Sequence, residues 1–297
     1  MMPVLFDHTA IYNEQFKFSL PQTFLEQMAR GLGFDNKVEY TQEEQEALRF
    51  DILKVWDDIQ ARKPSHSETP TITLTAGAPG VGKTTLLRRY WEQHPDCAYI
   101  CPDDVCLKQM TTTYGEYVKK TGDLAGGYFK WRAGSNYGHH LITAHLIKSK
   151  TNFLYGTTAS SDKTGLFLEF LKKNGYKIEI IYLTAPDQVR WDSIAKRDKV
   201  FVQQSSQDVI NKQLLVHERI QDTFLKYADR ISFYYRDAVD NPAVLGATWI
   251  ATEDGKGYLE IANPEVLEKV KKLHDNVCEG MNKPHLKWEH TVEKALW

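Results

Sequence analysis

Positive charge is not in surplus in this chain: 37 lysines and arginines stand against 39 aspartates and glutamates, a formal net charge of −2. A protein that wraps long polyanions needs a broadly basic surface, so nucleic acid is excluded as the general partner and only a local basic pocket stays open. No apolar run approaches the roughly 20 residues of a spanning helix, so no membrane span is expected. The stretch MMPVLFDHTAIYNEQF breaks its apolar run at Asp7 and has no basic leader, which speaks against a cleaved secretory signal. Cysteine is scarce. Its four positions, Cys97, Cys101, Cys106 and Cys278, contain no C-x2-C pair, so they read as small buried apolar side chains rather than zinc ligands. No disulfide framework is indicated, which fits a reducing compartment. A cytoplasmic protein is expected, although an uncleaved export signal would leave no trace in such a reading.

With 42% hydrophobic and 26% charged residues over 297 positions, the chain can bury a substantial globular core. Phe24 and Met28, then Leu48, Ile52, Val55, Trp56 and Ile59, recur at helical intervals and predict helices over 21–33 and 41–61. The polar, proline-bearing ARKPSHSETP at 61–70 separates this helical preface from the remainder of the chain. From 71 onward, strand-length apolar runs (TITLTA, CAYIC, NFLYG, KIEIIYLTA, RISFYY) alternate with helical patterns at 83–93, 105–120, 137–149, 163–174, 187–197 and 207–227. That alternation predicts an α/β fold, an open doubly wound parallel sheet of about five strands with helices on both faces. After 240 a hairpin around Asp254–Gly257 and an amphipathic helix in PEVLEKVKKLHDNV form a small α+β extension. The last dozen residues carry no pattern. The expected organisation is 1–66 helical extension, 67–240 core and 241–297 C-terminal extension.

GAPGVGKT, Gly77–Thr84, matches G-x4-G-K-[ST] directly after a strand and at the start of a helix. Gly77, Gly80 and Gly82 let the backbone curl so that N–H groups point inward, with Ala78, Pro79 and Val81 completing the loop. The dipole of the adjoining helix adds partial positive charge. The cage suits a nucleoside triphosphate, with Lys83 reaching the β and γ phosphates, Thr84 offering its hydroxyl to Mg²⁺ and Thr85 closing the loop.

In YICPDDVCLKQM, residues just past a strand's carboxyl end face the ligand crevice of an open parallel sheet, which singles out Asp103 and Asp104. Asp103 is expected to be a general base and Asp104 a helix cap. In NFLYGTTASSD, the hydroxyls of Thr157 and Thr158 suit a polar substrate, while Ser160, Ser161 or Asp162 suit helix initiation. Strand NFLYG lacks the acid with which many P-loop ATPases hold a Mg²⁺-bound water, which weakens a motor-type reading. Arg190 and Arg197 share a helix face; Arg190 reads as a solvated surface charge and Arg197 as a lid arginine able to clamp a transferring phosphoryl group. His139 and His140 read as ordinary polar residues, one towards the crevice and one towards solvent. Tyr114, Tyr128 and Trp131 could stack on a base or fill the core.

Taken together, GAPGVGKTT, YICPDDV with TTTYGEY after it, NFLYGTT, GYKIEIIYLTAPDQVRWDSIAKRD, VHERI and ADRISFYYR resemble the zeta toxin family of P-loop kinases over about 70–237. The resemblance implies ATP- or GTP-dependent phosphorylation of a UDP-activated amino sugar such as UDP-N-acetylglucosamine. It makes Lys83 the phosphate-binding lysine, Asp103 the base, Thr157 or Thr158 a substrate contact and Arg197 the first lid arginine. The family's sugar-contacting acid falls near Ala133–Asn136, where this chain offers no acid and Asn136 is taken as the polar contact. Other departures are Cys106 for an arginine three residues after the base, and Tyr155 for a glutamate before the GT pair. Near Ile210 a second lid arginine is missing, with Lys212 or Arg219 as substitutes. Such a family also implies a protein antidote. The competing readings are a nucleotide-gated switch or plain NTPase, and a kinase for another small molecule or a protein hydroxyl.

Overall fold

The computed structural model describes residues 40–198, 203–253, 256–286 and, by their backbone, 291–295. The helix expected over 21–33 and the hairpin-turn residues Asp254 and Gly255 lie outside the described residues. Along the chain come α1 (Gln42–Ala61), β1 (Thr71–Ala76), α2 (Lys83–Gln93), β2 (Ala98–Ile100), π-helical turns at Pro102–Leu107 and Thr111–Gly115, α3 (Glu116–Thr121) and α4 (Leu124–Lys148). Next are β3 (Phe153–Tyr155), α5 (Thr164–Lys173), β4 (Lys177–Thr184), α6 (Asp187–Asp198), α7 (Ser206–Arg219) and a π-helical turn (Ile220–Phe224) running into Leu225–Tyr227. The last elements are β5 (Arg230–Tyr235), β6 (Val244–Ala251), β7 (Gly257–Ile261), α8 (Pro264–Gly280) and β8 (Thr291–Ala295). Contacts gather the chain into two compact units: one takes the described residues up to Pro70 with His94–Leu154, the other Thr71–Gln93 with the chain from Tyr155 onward. No helix among the described residues is long and apolar enough to cross a membrane.

In the first unit, α1 starts at a capping box in which Thr41 accepts from the Glu44 N–H and Glu44 returns a bond to the Thr41 N–H. Its periodic apolar residues Leu48, Ile52, Val55 and Ile59 are buried, as the pattern predicts. Helix α4 begins 13 residues before the predicted Tyr137, because Asp123 caps it by accepting from the Gly126 N–H at 2.8 Å. The glycines in this added stretch lower helix propensity and hide it from pattern reading. Tertiary packing uses one of them, Gly134, together with Gly138 just beyond: a Cβ there would stand 2.8 Å from Leu48 or Ile52 of α1. Asp51, fully buried on α1, accepts from the Thr112 and Thr113 N–H groups and from the Thr113 hydroxyl, the last at 2.8 Å, and so pins the second π-helical turn. Removing it strands buried donors, so Asp51→Ala is expected to cost about 3 kcal/mol of stability, read from the urea midpoint.

The second unit carries strands in the order β1-β4-β5-β6-β7-β8. β4 runs parallel to β1, Thr71 facing Lys177 through Ala76 facing Tyr182, and parallel to β5 on its other side. β6 and β7 then add antiparallel, and β8 pairs parallel to β7. The α/β P-loop class stands, but the expected count of about five strands is too low. The hairpin read as part of an appendage pairs with β5 and prolongs the core sheet, and β8 falls in the tail that shows no pattern in sequence. Periodicity reports that a strand exists, not which edge it joins.

Candidate phosphate-binding site and base

The loop Gly77–Gly82 joins the buried strand β1 to the first turn of α2. Ala78 and Val81 are buried with Leu183, Ala185 and Val189, which seats the loop on β4 and α6. Gly77, Gly80 and Gly82 have φ of 142°, 85° and 99°, a region that side chains resist. A Cβ at Gly80 would lie 2.4 Å from the Arg190 carbonyl oxygen. Gly80→Ala is therefore expected to weaken binding of a fluorescent ATP analogue by about tenfold or more, since the loop must deform to relieve clash and strain. Unchanged affinity would show that the loop is not the site.

Lys83 lies across this loop, its Nζ donating to the Gly77 and Ala78 carbonyls at 2.8 and 2.9 Å. Thr84 and Thr85, in the first turn of α2, are exposed. Thr84 is thus accessible, and its hydroxyl would offer one protein oxygen to a Mg²⁺. Among the described residues no cluster of three His, Cys, Asp or Glu suits a metal. The loop after β3 is tied to the same place. Thr158 O accepts from the Gly77 N–H at 3.2 Å, and Thr157 exchanges two bonds with the Thr75 hydroxyl, donating its N–H at 3.0 Å and accepting at its carbonyl at 2.8 Å. The Thr157 hydroxyl accepts from the Ala159 N–H at 3.1 Å and that of Thr158 lies 3.1 Å from Ser160 Oγ.

Two arginines brace the loop, and neither was singled out for this in sequence. Arg190, read as a solvated charge, is 1% exposed, because α6 lies directly against the loop. Its Nε donates to the Pro79 carbonyl at 3.2 Å and its Nη1 to Asp187 at 2.6 Å. Burial lowers its pKa, opposed by Asp187. Arg236, just past β5, donates to the Gly80 carbonyl at 2.7 Å, to Ser193 Oγ at 2.5 Å and to the Val239 carbonyl at 3.1 Å. Its position at a strand's carboxyl end was the signal in sequence, the same rule that selected Asp103. Arg197, in the last turn of α6, donates to Asp198 at 2.7 Å. Of the substitutes for a second lid arginine, Lys212 pairs with Asp208 and Arg219 with Asp222, both at 2.6 Å.

In the first unit, Asp103 sits in the π-helical turn Pro102–Leu107 with its side chain half exposed and paired with Arg132 of α4. Asp104 is not the cap expected: Cys101 holds the N-cap position, and the buried Asp104 carboxylate accepts from the Tyr99 hydroxyl at 2.8 Å. Asn136 is buried on α4, one residue past Ser135, whose hydroxyl donates to the Pro102 carbonyl at 2.6 Å. The two elements bearing Asp103 and Asn136 are therefore stitched together. His139 and His140 are both buried, at 2% and 6% exposed, so neither faces solvent as expected. Burial, the main cause, lowers both pKa values, that of His140 to about 3. Cys101 and Cys106 are buried, and desolvation raises the Cys101 thiol to about 11 and Cys106 well above its ordinary value, so neither is a thiolate at neutral pH. Tyr114 and Trp131 fill the core, the indole stacking on Tyr40 with centroids 4.9 Å apart.

A glycine loop with these dihedral angles, set between a buried parallel strand and a helix and crossed by its own lysine, defines a P-loop α/β protein. The family model described as Zeta toxin matches residues 54–237. The chain belongs to the zeta toxin family. Among solved structures, it is similar to one from the PezAT chromosomal toxin-antitoxin system of Streptococcus pneumoniae, at 17% identity over 82% of this chain and 99% of that chain with a TM-score of 0.51. It is also similar to the AvrRxo1-ORF1:-ORF2 complex, at 14% identity over 85% and 78% with a TM-score of 0.58. The same complex with ATP aligns at 14% identity over 85% and 77%, TM-score 0.56. At such identities the likeness is one of fold. No curated protein matches the sequence.

Proposed function

We propose that this protein is an ATP- or GTP-dependent phosphotransferase whose acceptor is a hydroxyl of a small molecule, with a UDP-activated amino sugar such as UDP-N-acetylglucosamine as the leading candidate. The observation that carries the reading is the loop itself: three glycines at positive φ ahead of α2, with the Lys83 ammonium held across them. In this reading the loop amides and Lys83 bind the β and γ phosphates. Mg²⁺ on the Thr84 hydroxyl and phosphate oxygens would offset their charge. The acceptor hydroxyl gives its proton to Asp103 while its oxygen bonds the γ-phosphorus. The bond to the β,γ-bridging oxygen breaks, and the nucleoside diphosphate leaves. Arg197 is the lid arginine, and Thr157, Thr158 and Asn136 contact the acceptor. Residues 67–240 form the kinase core of a cytoplasmic enzyme. The toxin-antitoxin system and the two-component complex among the similar folds support a protein antidote as partner.

The test incubates the pure protein with γ-labelled ATP and a panel of nucleotide sugars. Label is expected in a small product with wild-type protein, and Asp103→Asn is expected to lower transfer by about 10²–10⁴-fold with nucleotide affinity kept. Label appearing only as inorganic phosphate would make the protein a hydrolase or switch.

A further inference from the structure

We infer that Arg132 is a positioning residue for Asp103: it holds one carboxylate oxygen so that the other is presented to the acceptor hydroxyl. The inference rests on the reading of Asp103 as the base. Arg132 Nη1 donates to Asp103 Oδ1, while Oδ2 has no partner among the described residues and the Asp103 side chain is half exposed. A carboxylate with one oxygen engaged keeps its second in a defined direction, which is what proton abstraction needs.

The guanidinium is itself well held. It lies 5.5 Å from the centroid of the Tyr128 ring, one turn earlier on α4. The turn of α4 that bears it is fixed by Tyr40, whose hydroxyl donates to the Lys130 carbonyl at 2.7 Å and accepts from the Gly134 N–H at 3.1 Å. On the other side, the Ser135 hydroxyl bonds the carbonyl of Pro102, the residue before Asp103, at 2.6 Å. Backbone and side chain of the Asp103 turn are thus both tied to one stretch of α4. Cys106, where the family pattern sets an arginine, is buried beside this pair, and the Arg132 charge acts on its thiol.

The test uses the full chain, γ-labelled ATP and the panel acceptor that wild-type protein labels. Arg132→Ala is expected to cut kcat about 10²-fold while a fluorescent ATP analogue binds with its wild-type affinity. Added guanidinium ion is expected to restore about tenfold of the Arg132→Ala turnover and none of the Asp103→Asn turnover, with Arg132→Lys in between. Unchanged kcat in Arg132→Ala, or a raised acceptor KM alone with no response to guanidinium, overturns the inference. In the protein without nucleotide or acceptor, the Arg132 Nη signals in nitrogen NMR are expected to be split by hindered rotation and to merge in Asp103→Asn; merged signals in wild type overturn it as well. A wild type that labels no acceptor fails the kinase reading, whereas one that labels an acceptor and is matched by Arg132→Ala fails this inference alone.

Discussion

Replacing Lys83 by alanine is expected to abolish transfer of label from ATP, by about 10³-fold or more, and to leave the fold standing. The ammonium is the full positive charge within Gly77–Thr84, and charge spreading over the γ-phosphoryl oxygens is what a P-loop stabilises. Its bonds to the Gly77 and Ala78 carbonyls span six and five residues, so they tie the loop only to itself. A modest stability change, within about 1 kcal/mol by urea titration, should therefore accompany the loss. Full transfer by Lys83→Ala would remove the loop from the reaction.

The second large effect is an acid-driven loss of stability. His217 of α7 and His274 of α8 stack with centroids 5.8 Å apart in the second unit, and Tyr182 meets His217 edge-on. Burial is the first cause of depression in each, lowering His217 to about 4 and His274 to about 3 from 6.5. For His217 a backbone bond to Gln213 opposes the shift; for His274 the His217 ring adds to it. Because the native state holds these rings neutral, the unfolded chain binds more protons once pH falls below 6.5. Stability is whole above that value and is lost as pH drops towards 4 and then 3. His217 alone accounts for a loss on the order of 3 kcal/mol. Urea midpoints at pH 7, 5.5 and 4.5 should fall in that order, and His217→Gln should flatten the slope. Equal midpoints in wild type would mean that the pair is hydrated or already charged.

Much of the site can be read without coordinates where chemistry depends on neighbours in sequence. The loop needs glycine at a few backbone positions and a lysine at a fixed offset, so its residues are recognisable as a string. Asp103 is selected by its place at the end of β2. Arg190 shows the limit: a helical arginine near an aspartate has the pattern of a solvated pair, and only the approach of α6 to the Pro79 carbonyl buries it. Arg132 is similar, since nothing in WRAGSNYG announces a partner 29 residues earlier. The glycines of α4 argue against helix locally, yet they are what lets Leu48 and Ile52 come close. Strands β6 and β7 can be read as a hairpin, but their alternation does not say that β6 turns back across a short connection to pair with β5.

The sequence by itself determined the α/β alternation, the phosphate loop and the carboxylate that stands after β2, because periodicity, glycine dihedral freedom and strand-end position are local properties of the chain. Tertiary structure alone decided which arginines brace the loop, which one grips Asp103, that His139 and His140 are both dry, and that the sheet runs on past β5. Each of those depends on burial or on which surfaces the folded chain brings together, quantities that the pattern of neighbouring residues does not contain.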